Sequence, residues 1–253
     1  MDGFSLFLFL AAAFVGGLTG GLAGFATGLV VSGVWLQIIP PAQTAALIVL
    51  GGFVTQGYGI WQVRHAIAWR GVWPFIVGGA LGIPVGTALL TMLDAGVARV
   101  SIGCLLTAYS LYSLLRPTMK PLAASLAADL GAGVVNGLVG GLTGLIGLVI
   151  AIWCQLRGGS NDAQRAVYQP VIFASFLMNA VAFGFAGLFT LETLKLYLYG
   201  LPALIIGVWC GVRLYGKLDE RSFRRVILLL LLASGLALVV PALWRVASSS
   251  LGL

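Results

Sequence analysis

The stretch Gly17-Leu18-Thr19-Gly20-Gly21-Leu22-Ala23-Gly24 returns 120 residues later as Gly137-Leu138-Val139-Gly140-Gly141-Leu142-Thr143-Gly144, identical at six of eight positions. Two more blocks follow in the same order. Ala42-Gln43-Thr44-Ala45 matches Ala163-Gln164-Arg165-Ala166 at offset 121, and Gly82, Gly86, Leu93, Asp94 and Arg99 match Gly207, Gly211, Leu218, Asp219 and Arg224 at offset 125. Glycine and leucine are common in this chain, so one match alone means little. Three ordered blocks with a slowly growing offset indicate an internal duplication. Between the copies lies Arg116-Pro117-Thr118-Met119-Lys120-Pro121, with two charges and two prolines. The chain therefore divides into a first repeat (1–115), a linker (116–125) and a second repeat (126–253).

Composition says where such repeats can live. Of 253 residues, 14 are Lys or Arg and 7 are Asp or Glu, about 8% charged, while 60% are hydrophobic and the mean hydropathy is +1.07. A soluble domain carries roughly 25% charged residues. A chain this apolar cannot cover a water-facing surface. Soluble enzyme, disordered chain and nucleic-acid binder are excluded; the +7 net charge forms no basic patch with interleaved aromatics. Sixty-one charge-free residues separate Asp2 from Arg64, and further charge-free runs cover 71–93, 100–115, 130–156, 166–191, 196–212 and 226–244. A spanning helix needs about 20 apolar residues. The fold class is an all-α polytopic membrane protein with the bilayer as its partner, since a barrel would alternate in segments of about ten residues. Asp2 stands where a basic n-region would, which argues against a cleaved signal peptide. Cys104, Cys154 and Cys210 all fall in apolar runs and read as buried, inert thiols.

Each repeat opens with a long glycine-rich arm, 4–38 or 126–156. Three ordinary spans follow: 42–63, 71–93 and 96–115, then 163–187, 193–214 and 224–244. A 35-residue helix is about 52 Å long, against a hydrocarbon core of about 30 Å. The first arm must tilt, break or turn back, and Gly16-Gly17, Gly20-Gly21 and Gly140-Gly141 are the expected breaks. Charge decides between the topologies. If each arm crosses once, the loops hold 8 basic residues on one side and 6 on the other. If each arm re-enters, the counts become 11 and 3, and the positive-inside rule selects the second. The expectation is thus an inverted repeat in the cell (inner or plasma) membrane, with both termini outside.

The chemistry available is narrow. His65 is the lone histidine and lies in a loop, no Asp or Glu sits in mid-span, and no P-loop occurs, which argues against an enzyme, a metal site or a cofactor. A broken helix instead offers unpaired N–H groups that bind anions, as discontinuous transporter helices do. The competing use of these glycines is close helix packing, which also suits Gly78, Gly82 and Gly86. Candidate substrate-binding residues are Gly20, Gly21, Gly24 and Thr27 in the first arm, and Asn136, Gly140, Gly141 and Thr143 in the second. Gln43 and Gln164 open the next spans, and Gln56 and Asn179 lie deep within them. Buried amides in lipid must face protein or water. Thr87 and Ser110 are expected to bond to their own helices.

These features resemble the sulfite exporter TauE/SafE family of membrane permeases: duplicated Gly-rich arms, a basic link after the fourth span, and Gly-x-x-x-Gly in the third span of each half. The first arm reads Gly-Gly-Leu-Ala-Gly-Phe-Ala-Thr-Gly over 20–28, with Pro40-Pro41 only at its end, and the second arm has no proline, a divergent form of the family pattern. The resemblance implies a transporter that exports a small sulfur-containing anion such as sulfite or a sulfonate. An anion channel and a non-transporting scaffold or assembly factor remain as alternatives, and a homo-oligomer is left open.

Overall fold

The protein is described here from a computed structural model, which covers residues 2–23, 26–63, 65, 67, 69–115, 125–158, 161–214, 228–229 and 231–240. Among these residues the structure is all helical. The order is α1 (Gly3–Ala23), α2 (Thr27–Ile38), α3 (Pro41–Val63), α4 (Trp69–Met92), α5 (Ala95–Leu115), α6 (Leu126–Thr143), α7 (Leu148–Arg157), α8 (Asn161–Phe185) and α9 (Leu191–Leu214). A last apolar helical stretch is Leu231–Val240. Six of the described helices are long and apolar enough to cross a membrane.

Both arms are broken helices that fold back on themselves. In the first, Gly20 lies against Thr27 and Gly16 against Val31. Phe9 stacks on Trp35 with ring centroids 4.8 Å apart. That ladder makes α1 and α2 antiparallel. Ile39 then goes extended, as the residue before a proline must, and Pro41 starts α3. In the second arm Gly140 lies against Ile146. Trp153 Nε1 and Arg157 Nη1 donate to Asp129 at 2.8 and 2.9 Å, so α6 and α7 are antiparallel too.

The breaks are not where the glycine pairs suggested. Gly16, Gly17, Gly20, Gly21, Gly140 and Gly141 are all helical. The second break falls at Gly144 and Gly147, whose φ of +73° and +91° favours glycine. Residues 24 and 25, between α1 and α2, lie outside the described residues. The paired glycines stay helical because neighbouring helices lie directly on them. Gly17 packs on Leu204 O, Gly21 on Val208 O, Gly207 on Phe14 O and Gly211 on Leu18 O, joining α1 to α9. Equally, Gly137 packs on Gly79 O, Gly141 on Ile83 O, Gly82 on Val134 O and Gly86 on Leu138 O, joining α6 to α4. Offsets 120 and 125 convert one set into the other, contact for contact. Each pair runs parallel, and a Cβ at any of these eight positions would lie 2.5 Å or less from a carbonyl oxygen. Packing is therefore the role of Gly78, Gly82 and Gly86, as small residues allow in membranes.

The core has two parts, one per hairpin. Phe9, Trp35, Leu36, Ile48, Ile102 and Leu106 gather around the first. Val72, Phe75, Ile150, Ile172, Phe176 and Phe183 gather around the second. Outward, α4 turns Trp73, Val77, Leu81 and Val85, a four-residue repeat that forms an apolar stripe suited to lipid. Cys154 is buried as expected, whereas Cys104 is exposed and Cys210 intermediate, so two of the three thiols face outward to some degree.

Candidate functional site

The tips of the two hairpins meet. Gly28, at the start of α2, faces the Leu145 side chain and Gly144 O, and Gly144 in turn lies on the backbone of Ala45. The pocket between them is lined from α2 by Thr27, Gly28 and Leu29, from α3 by Ile48, Gly52, Thr55 and Gln56, from the second tip by Gly144, Leu145, Ile146 and Leu148, and from α8 by Phe176. No side chain in this lining is ionisable. The cavity is about 10 Å³, room for the centre of one water molecule.

Local chemistry differs between the tips. In the second, the amides of the turn that precedes α7 are held from within, while α7 itself, like α2, starts without a side-chain cap. Thr143 Oγ1 accepts from Leu145 N–H at 3.0 Å, and Asn136 Oδ1 accepts from Gly147 N–H at 3.2 Å. Ile146 N–H donates to Gly144 O at 2.8 Å. In the first tip, the residue before α2 is Ala26, which gives the helix no side-chain cap. The first-turn amides of a helix have no intrahelical acceptor and carry partial positive charge. Thr27 sits in this turn, 8% exposed, and its hydroxyl has no partner. Neighbouring hydroxyls behave otherwise: Thr19 donates to Gly16 O, Ser32 to Leu29 O and Thr55 to Gly52 O, at 2.9, 2.9 and 3.1 Å. A buried polar group left without a partner costs about 1–3 kcal/mol. Thr27 Oγ1 is thus an unpartnered polar atom beside a helix N-terminus.

Of the candidates named from sequence, Thr27 and Gln56 line the pocket. Gly20 lies just behind, between Thr27 and Thr55. Asn136, Gly140, Thr143 and Asn179 form a separate group under the second tip. There Asn136 Nδ2 reaches Ser175 Oγ at 3.5 Å, and Asn179 Nδ2 donates to Ser175 O at 2.8 Å. Asn179 is fully buried and its Oδ1 has no partner. Gly21 and Gly141 face α9 and α4. Gln43 and Gln164 are half-buried in the first turns of α3 and α8. Gly24 lies outside the described residues. Ser110 bonds to Leu106 O as expected, but Thr87 Oγ1 has no partner.

Several residues were not foreseen. Thr55 and Gly52 sit one residue and one turn from Gln56, and that adjacency was their available signal. Gly144 closes the repeated octapeptide, so its place at the second tip was also within reach. The Asp129–Trp153–Arg157 cluster had no local signal, because its partners are 24 and 28 residues apart. Arg99 is another such case: its Nε donates to Leu36 O at 3.0 Å and caps the end of α2.

Comparison with known proteins gives one family. The family described as Sulfite exporter TauE/SafE matches residues 8–238, nearly the whole chain. No curated protein and no solved structure matches.

Proposed function

Because the chain belongs to the sulfite exporter TauE/SafE family, a family of membrane transporters, we propose that it exports a small anion, sulfite or a sulfonate, by alternating access through the hairpin-tip pocket. The observation that carries this is the uncapped start of α2 beside the unpartnered, buried Thr27 hydroxyl, in a pocket shared by both tips. Two broken helices meeting in mid-protein suit a substrate held between repeats. No buried acid is needed. An inside-negative potential favours anion exit by roughly 2.3 kcal/mol per charge per 100 mV.

The same proposal places the halves in inverted orientation in the cell (inner or plasma) membrane, with both termini outside. The parallel pairs α1/α9 and α4/α6, together with arms that turn back, support it, because they set equivalent arms pointing in opposite senses. On that reading the starts of α4, α6 and α8 and the ends of α7 and α9 share one face. That face carries Arg70, Arg157, Arg165 and Arg213, part of the 11-residue basic side. Trp69, Trp73 and Trp209 are exposed at its level, and Arg213 stacks over Trp209 at 3.8 Å, as interfacial anchors do.

The test is flux. Proteoliposomes loaded with sulfite or ethanesulfonate are expected to release it faster under an imposed inside-negative potential, with saturation and counter-transport. No anion flux at any potential would remove the transporter reading. Flux without saturation or counter-transport would favour a channel, although a cavity of about 10 Å³ is too small for an oxyanion unless the tips move.

A further inference from the structure

A pocket of about 10 Å³ admits an oxyanion only if one of its walls moves. The walls are not equally fixed. α2 is tied near its far end, where Trp35 Nε1 donates to Phe9 O at 3.2 Å and Arg99 Nε donates to Leu36 O at 3.0 Å. It then runs through extended Ile39 and Pro40 straight into α3, and the two prolines stiffen that joint. α3 and α8 are full spans of 23 and 25 residues. α7 has only ten residues and lies between two glycines with positive φ. Gly147 is left-handed, and Gly158, at φ +73° and ψ −162°, occupies a region open essentially to glycine alone.

The two ends of α7 face different surroundings. Its first residue, Leu148, lines the pocket together with Leu145 and Ile146 of the turn before it. Its last, Arg157, lies at the basic face. Between them Ile150, Ala151 and Cys154 are buried in apolar contact, which carries no directional preference. The polar ties of α7 converge on one residue. Trp153 Nε1 and Arg157 Nη1 both donate to the Asp129 carboxylate, at 2.8 and 2.9 Å. Among the described residues α7 makes no other side-chain hydrogen bond to a neighbouring helix, and Asp129 is the only buried acid. The Arg157 side chain is 23% exposed, so water can take the place of Asp129 when the pair parts.

Resting on the transporter reading above, we infer that α7 is the inner gate of the pocket, a short rod on joints at Gly147 and Gly158, and that Asp129 is the positioning residue that latches it shut. Opening carries Leu148 away from Thr27 and Gly28 and joins the pocket to the basic face. It also parts Arg157 from Asp129 and leaves the guanidinium at the mouth through which an anion enters.

Cys154 makes the gate readable, because it sits on α7 beside Trp153 and is 5% exposed. In the full chain carrying Cys104→Ser and Cys210→Ser, a membrane-impermeant maleimide is expected to label Cys154 slowly. Asp129→Asn keeps an acceptor for Trp153 and removes the charge. Labelling is then expected to be about tenfold faster, the scale of one lost hydrogen bond to a charged group, and to occur only from the basic face in membrane vesicles of known orientation. Arg157→Gln breaks the pair from its more exposed side and serves if Asp129→Asn does not fold. Phe9→Ala loosens the first hairpin without touching α7 and is expected to label at the parent rate, which separates unlatching from general instability. In proteoliposomes, ethanesulfonate release by Asp129→Asn is expected to stop once Cys154 carries the maleimide, and to continue after the same treatment of a Cys154→Ser chain. Slow labelling in both latch variants, equally fast labelling in Phe9→Ala, labelling from the opposite face, or undiminished release after labelling would each overturn the gate and leave the transporter reading standing. Release that is absent before any labelling removes the transporter reading and the gate that rests on it.

Discussion

The two hairpins share a shape and differ in what holds it. The first is closed at its base by an apolar stack, Phe9 on Trp35, with Trp35 Nε1 donating to Phe9 O at 3.2 Å. The second is closed at the equivalent place by an ion pair: Asp129 accepts from both Trp153 and Arg157, and only 10% of its side chain is exposed. A tryptophan on the returning limb is common to both. At the tips the contrast reverses. The second tip satisfies the turn amides of Gly147 and Leu145 through Asn136 and Thr143, whereas the first leaves the Thr27 hydroxyl without a partner. Duplicated geometry has thus been kept while the turn amides of one tip are bonded and the Thr27 hydroxyl of the other is not.

The shared frame is the first thing to break. Gly82→Ala and Gly207→Ala put a methyl group onto Val134 O and Phe14 O. Overpacking costs about 1–3 kcal/mol, and more when the obstacle is backbone rather than a side chain. Both variants are expected to lose the monodisperse detergent-purified species, and to the same degree. A large loss in only one would mean the two interfaces are not energetically equivalent. The bases come next. Phe9→Ala empties a fully buried site and is expected to lower stability by about 3–5 kcal/mol. Asp129→Ala strands Arg157 and the Trp153 N–H in a partly exposed setting, so the expected loss is smaller, about 2 kcal/mol. Thermal unfolding in detergent orders them, and the reverse order would show that the ion pair is the stronger clasp.

The tips give the smallest changes in stability and the clearest change in function. Asn136→Ala leaves Gly147 N–H without its acceptor, at about 1–3 kcal/mol. Thr27→Val keeps the shape and removes only an unused hydroxyl, so stability is expected to stay within about 0.5 kcal/mol. Anion affinity is expected to fall about tenfold, the lower end for a hydrogen bond to a charged group. A Thr27→Val protein that binds as well as the parent would move the site away from the first tip.

Much of this architecture was legible in the residues. Charge-free runs and the repeated blocks located both arms and five ordinary spans, which α3, α4, α5, α8 and α9 follow within two residues; the sixth, 224–244, is described only at 228–229 and 231–240. Length left the first arm to tilt, break or turn back, and the count of Lys and Arg on each side selected turning back. What the sequence hid were choices made by distant neighbours. Gly20-Gly21 and Gly140-Gly141 look like hinges in isolation; only the arrival of α9 and α4 reveals them as flat contact surfaces. Thr27 was legible as a polar residue near a break. That its hydroxyl is unbonded while those of Thr19, Ser32 and Thr55 are bonded depends on local helix geometry.

The exchange of partners between halves has a consequence for how the chain is made. α1 rests on α9, so Gly17 waits for a residue 187 positions later, Leu204, before its glycine face is covered. At 5–20 residues per second of synthesis, that wait is about 10–40 s. During it α1 has α2 beside it, while the glycine face that α9 will cover stays open. α6 faces no such delay, because α4 is already in place when it emerges. The first hairpin is therefore the point at which biogenesis is most exposed to a wrong neighbour, and a truncated chain ending before α9 would leave it permanently so.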